Sequence, residues 1–228
     1  LRNEVQLRPR IVYTRTRVQN DVKRILDLYR RTGRFAATVE PKIIQLPQNR
    51  VDLIFEIDEG QPTGIRRISF VGNREYSDRA LRGIIQTTET RWYRFLSSND
   101  TYDPDRLTFD RELLRRHYLR NGFADFRVVS AVAELTPDRK DFFITFTIDE
   151  GKRYTFNSLT IESKITEVKP IAIQQFIEIE KGDWYDSEAV DDTVVALSNA
   201  VGELGFAFVA VLPNVKRDRK KRTIDIKF

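Results

Sequence analysis

Apolar and polar positions along this chain follow two periods, and the period changes at glycines. The windows YTRTRVQNDVKRILDLYRRTG, YDPDRLTFDRELLRRHYLRNG and YDSEAVDDTVVALSNAVGELG run from Tyr13 to Gly33, Tyr102 to Gly122 and Tyr185 to Gly205, with tyrosine and glycine 20 positions apart in each. Their shared apolar positions are Val18, Ile25 and Tyr29; Leu107, Leu114 and Tyr118; and Val190, Leu197 and Val201. A spacing of i, i+7, i+11 marks one face of an α-helix. Thr16 with Gln19 forms a capping-box pattern, Asp103 precedes Pro104, and Asp186 precedes Ser187 and Glu188, so every window opens with helix-start chemistry. Gly33, Gly122 and Gly205 fit the left-handed position just past a helix end.

After each glycine the period shortens and two extended segments follow, joined by a polar turn. They are RFAATVEPKIIQL with RVDLIFEI, FADFRVVSAVAEL with DFFITFTI, and FAFVAVLPNV with RTIDIKF. Such pairs predict hairpins. Ahead of the second and third windows stand a further strand, GIRRISFVG or YTFNSLTIES, and a short helix over residues 77–86 or 166–177. The order is β-α-α-β-β, and the first copy lacks its opening strand. The expected domains are therefore 1–60, a partial unit; 61–151; and 152–228, in a chain expected to be part of a longer one.

Each complete unit is expected to be α+β, a three-stranded mixed sheet with two helices on one face. FFITFTI is nearly continuous, as a central strand should be, whereas FADFRVVSAV mixes polar with apolar residues and suits an edge. The strand order becomes first, third, second. One side of the segment Phe126, Arg127, Val128, Val129, Ser130, Ala131 and Val132 is then free to pair with an incoming strand.

Composition narrows the chemistry. The 39 basic and 34 acidic residues, a formal charge of +5, describe a mixed surface, which permits nucleic acid without indicating it. No run of about 18 apolar residues is present, so no membrane-spanning helix is predicted. Without cysteine there are no disulfides or thiolate sites, and the single histidine, His117, excludes histidine clusters and reads as a surface or packing residue. The neighbouring carboxylates Asp149–Glu150 and Asp191–Asp192 point apart on a strand or helix, and no phosphate-binding glycine loop occurs. Neither an enzyme nor a cofactor is expected. The basic run at residues 216–222 reads as a solvated hairpin tip, or as a contact for anionic headgroups or an acidic partner. An insertion at residues 90–102 sets Trp92, Tyr93 and Phe95 close together, either packed on the unit itself or facing a partner.

ISFVGN at residues 68–73, the stretch YDPDRLTFDRELLRRHYLRNGFADFRV at residues 102–128, and IDEG closing two hairpins resemble the POTRA domains of the BamA family of outer-membrane protein assembly factors, over nearly the whole chain. The third unit departs from the pattern, with IESKI where VSGN is usual. By order and by the aromatic insertion, the units look like a partial second, a third and a fourth domain of a five-domain array. The resemblance implies a periplasmic part of an outer-membrane protein. It implies a scaffold that receives unfolded outer-membrane β-barrel precursors, docks accessory outer-membrane lipoproteins and adjoins its own C-terminal membrane barrel. A related outer-membrane secretion or translocation transporter is the alternative. A basic nucleic-acid-binding repeat protein is more distant, and no nucleic acid is expected.

Overall fold

The computed structural model describes residues 5–8, 12–48, 50–90, 101–206 and 208–228. The first repeat consists of α1 (Arg15–Arg31), β1 (Thr38–Leu46) and β2 (Arg50–Asp58), with the two strands antiparallel and in register from Thr38↔Asp58 to Leu46↔Arg50. Ile25, Tyr29, Ala37 and Val39 form its core. Asp21 is fully buried on α1, and its carboxylate accepts the backbone N–H groups of Gln6 and Leu7, which satisfies the charge. The helix starts differently from the expected box at Thr16 and Gln19. Thr14 is extended and its hydroxyl accepts the N–H of Arg17, so Thr16 lies one residue inside the helix.

The middle repeat runs β3 (Gly64–Val71), α2 (Asp78–Arg82), α3 (Pro104–Arg120), β4 (Arg127–Leu135) and β5 (Asp141–Asp149), with sheet order β3-β5-β4. The third runs β6 (Thr155–Thr160), α4 (Pro170–Ile173), a 3-10 turn (Gln174–Phe176), α5 (Ser187–Glu203), β7 (Asn214–Asp218) and β8 (Thr223–Lys227). Here β6 is parallel to β8 and β7 antiparallel to it, giving β6-β8-β7. Both complete sheets thus have the order first, third, second. Asp103 and Asp186 accept N–H groups in the first turns of α3 and α5, and Pro104 occupies the first helical position, where its missing N–H costs nothing.

Two segments are less regular than the pattern suggests. The short helices shrink to five residues in α2 and four in α4. Lys169 precedes Pro170 and is held extended, so α4 cannot begin earlier. Residues 206 and 208–213, read as part of the third hairpin, lie outside the ladder. Pro213 has no N–H for it, Phe208 is fully exposed, and pairing begins only at Asn214.

By compactness the chain forms two units, residues 1–69, 85–110 and 131–146 in one, and 70–84, 111–130 and 147–228 in the other. The division runs through the middle repeat. Each unit therefore holds one repeat-to-repeat joint with both of its sides, around residues 58–64 in the first and 149–155 in the second.

The helices end at Gly33, Gly122 and Gly205, with φ of 77°, 95° and 93°. A side chain at Gly33 would collide with Thr101, and one at Gly122 would place its Cβ 3.2 Å from Arg153 Nε, while Gly205 faces open space. Valine at either Gly122 or Gly205 is expected to cost about 1 kcal/mol or more, since a β-branched residue resists positive φ. Gly122→Val should cost more than Gly205→Val because of Arg153. Urea denaturation of the two variants checks this, and unchanged stability in both would show that the helix ends do not need the left-handed residue.

Candidate functional site: repeat joints and an open strand edge

The repeated Ile-Asp-Glu-Gly closes both β2 and β5. Asp58 Oδ1 accepts the N–H of Gly60 at 3.1 Å and Asp149 Oδ1 that of Gly151 at 3.3 Å, with the glycines at φ 60° and 70°, so the aspartate side chain builds the turn. The glutamates reach back to the preceding helix. Tyr29 donates its hydroxyl to Glu59 at 2.9 Å, and Tyr118 to Glu150 at 2.8 Å. Burial, then the bond to the carboxylate, raises the pKa of both phenols. In the third repeat Val201 holds the tyrosine's place in the helix. At both joints the buried phenol needs an acceptor, and the glutamate supplies it.

The two glutamates differ in burial. Glu150 is 7% exposed and also accepts the N–H groups of Arg74 and Glu75. The Glu59 side chain is 55% exposed. Beyond each tetrapeptide the next repeat docks by the same bond. Thr63 N–H donates to the carbonyl of Gly33 at 2.8 Å, and Tyr154 N–H to that of Gly122 at 2.9 Å.

Side chains secure each joint. In the first, the Thr63 hydroxyl accepts from Phe35 N–H and donates to the Arg139 carbonyl, Arg34 donates to the Gly60 carbonyl at 2.7 Å, and the Phe35 ring meets Tyr102 and Phe142 edge-on. In the second, Tyr154 donates to Asp125, and Arg217 bonds both Asp125 and the Ala124 carbonyl. Arg217 is therefore not a freely solvated member of the basic run. Arg153 donates to the Asn121 carbonyl and stacks its guanidinium 4.1 Å from the Trp184 ring centroid. His117 packs edge-on against Tyr76, its Nε2 buried without a partner, and burial, with Arg120 adding to it, lowers its pKa.

The sheet edges are treated unequally. The outer edge of β3 is covered by its own chain: Ile65 N–H donates to the Thr90 hydroxyl, Thr90 N–H to the Ile65 carbonyl, Ile68 N–H to Glu89 and Phe70 N–H to Asp78. The outer edge of β6 is covered too, with Phe156 N–H donating to Asp183 and Gly182 N–H to Phe156. The second strands end their sheets. Of these, β1 carries Pro41 together with Lys42, which is paired with Glu56, and β7 has only five residues, including Lys216, Arg217 and Asp218. By contrast β4 has nine residues, no proline, and charges only at Arg127 and Glu134. It is the least blunted edge, since β2, the other edge of the two-stranded sheet, carries Arg50, Asp52, Glu56 and Asp58.

The expected edge residues divide accordingly. Val129 and Val132 are 58% and 48% exposed, while Val128, Ser130 and Ala131 are half-buried. Arg127 is held by Asp149 through Nε and Nη2. Phe126 does not belong to the edge: it precedes β4, is buried, and stacks on Tyr118 with ring centroids 4.0 Å apart. Trp92, Tyr93 and Phe95 lie outside the described residues.

Two outcomes follow from the buried groups. Tyr118→Phe should cost about 1–3 kcal/mol, the range for a bond to a charged group, and Tyr29→Phe about 0.5–1 kcal/mol, since water can replace the phenol at the exposed Glu59. Denaturant midpoints of the two variants test this; equal losses would contradict the difference in burial. For His117 the folded pKa lies below the unfolded value, so the unfolded chain binds the proton first and stability should fall as pH drops from about 6.5. His117→Phe should flatten that slope below about pH 6.5, as read by thermal unfolding.

A sequence model of the POTRA family, described as a surface antigen variable number repeat, matches residues 1–60, 63–151 and 154–228. The outer membrane protein assembly factor BamA of Neisseria meningitidis serogroup B is 27% identical over 193 residues, covering 85% of this chain and 24% of its own length. That of Neorickettsia risticii is 27% identical over 204 residues, covering 90% and 27%. This chain spans about a quarter of the length of either relative. A crystal structure of Haemophilus influenzae BamA POTRA3-5 shares the fold at a TM-score of 0.55 and 18% identity, covering 99% of this chain and 87% of that one. With the recurring joint, the strand order and a family match across all three repeats, the chain belongs to the POTRA family.

Proposed function

We propose that the chain is a periplasmic, non-catalytic scaffold of the outer-membrane β-barrel assembly machinery, which receives unfolded outer-membrane precursors along the free edge of β4. Docking of accessory outer-membrane lipoproteins and attachment to a C-terminal membrane barrel belong to the same reading. The relatives named BamA support the assembly role. The observation that carries the mechanism is the contrast between edges: β3 and β6 are closed by their own chain, β1 and β7 are blunted, and β4 is long and nearly uncharged.

Backbone bonds along an edge are nearly independent of side chains, so one edge can accept strands of many sequences. The same property limits affinity, because few side-chain pockets add to the backbone bonds. Among the described residues no cluster of His, Cys, Asp or Glu could hold a metal, and no helix is long and apolar enough to cross a membrane.

Proline separates backbone from side-chain recognition, since it removes one N–H and bends an edge. Along β4, N–H groups alternate between the partner strand and the outside. Of Val128→Pro and Val129→Pro, the one removing an outward N–H should fold and lose crosslinking to an unfolded outer-membrane precursor, whereas alanine at either position should leave crosslinking nearly unchanged. Loss with alanine and retention with the tolerated proline would instead place recognition in side-chain pockets.

A further inference from the structure

The third repeat holds a cleft of about 480 Å3 remote in sequence from β4, between the first half of α5 and the chain leading to it. Its shape follows from local bonds. After the 3-10 turn the chain closes a tight loop, with Glu180 N–H on the Asp183 carboxylate and Asp183 N–H on the Glu180 carbonyl. The loop is then pinned along β6 by the Gly182 and Phe156 amides. Small residues of α5, Ala189 and Ala196, face the space left between.

The floor is aromatic and aliphatic: Phe156, Phe176, Ile179 and Trp184. The rim is acidic: Glu178, Asp183, Asp186 and Asp192, with no lysine or arginine in the lining. Asp183 and Asp186 already accept backbone N–H groups. The side chains of Glu178 and Asp192 make no hydrogen bond or ion pair among the described residues. With four carboxylates and no basic side chain in its lining, the cleft is complementary to a cationic occupant.

A second observation concerns the floor. The Trp184 ring carries the chain's own Arg153 guanidinium at 4.1 Å and is still 52% exposed. An exposed tryptophan beside an apolar floor is the kind of anchor that interfaces use.

We propose that this cleft docks a basic segment of a partner protein, in which apolar residues cover the Phe156–Phe176–Ile179 floor and flanking arginines or lysines meet Glu178 and Asp192. The site is separate from the β4 edge and has the opposite requirement. The edge accepts strands of many sequences, whereas the cleft selects charge.

The test titrates the isotope-labelled chain with acetyl-Leu-Arg-Leu-Arg-Leu-amide and with the same peptide carrying glutamate for arginine. The arginine peptide should shift the Trp184 indole resonance and the amides of residues 186–193, and should weaken with added salt. The glutamate peptide should leave them in place. Glu178→Lys combined with Asp192→Lys should reduce affinity at least tenfold. If that variant does not unfold cooperatively, Glu178→Gln with Asp192→Asn decides instead, with a smaller loss expected. The folded β4 proline variant should bind the arginine peptide as the parent does, which keeps this result distinct from edge recognition. Equal binding of both peptides, full affinity in the charge variants, or shifts confined to β4 would overturn the proposal.

Discussion

One backbone hydrogen bond, made twice, organises the chain: the first residue of each new repeat donates its N–H to the carbonyl of the glycine that ended the previous helix. Thr63 meets Gly33 in this way, and Tyr154 meets Gly122. A helix end leaves carbonyl groups needing donors, and a glycine past it can turn the chain with positive φ. At Gly33 and Gly122 the missing side chain matters again, because a Cβ would press on Thr101 or Arg153. The Tyr29–Glu59 and Tyr118–Glu150 bonds tie the end of the closing strand to the same helix. Helix end, strand end and the start of the next repeat are thereby fixed at one place.

This arrangement decides which edges remain. Each first strand begins beside a joint and is covered by its own chain, through Glu89 and Thr90 at β3 and residues 182–185 at β6. Each second strand lies at the far side of its sheet. Three such strands exist, and sequence has blunted two of them, β1 by Pro41 and β7 by shortness and charge. An unblunted edge risks aggregation, so β4 stands out as the one whose exposure calls for a use. The acidic cleft of the third repeat is built from other elements, β6, α5 and the chain leading to α5.

Much of this was legible in the chain. The i, i+7, i+11 positions located α1, α3 and α5, and the continuous FFITFTI identified β5 as central, because period and hydrophobicity report local structure and burial directly. Tertiary choices were harder. Thr14 and Thr16 are both able to cap, and only the backbone angles single out Thr14. Phe126 reads as the first residue of a strand, yet it turns inward onto Tyr118. The tyrosine–glutamate bond did leave a trace, since Tyr29 and Tyr118 stand at the same helix position and both of their repeats close with Ile-Asp-Glu-Gly. The cleft left none, because its carboxylates come from a loop and a helix and share no period.

Native-state amide hydrogen exchange tests the central claim most directly, because it reads the joints and the edges in one measurement. The joint bonds predict slow exchange at Thr63 and Tyr154, and the covered edge predicts protection at Ile65 and Ile68. Along β4 every second amide should exchange close to the unprotected rate while its neighbours stay protected. Uniform protection throughout β4, or rapid exchange at Thr63 and Tyr154, would contradict the account.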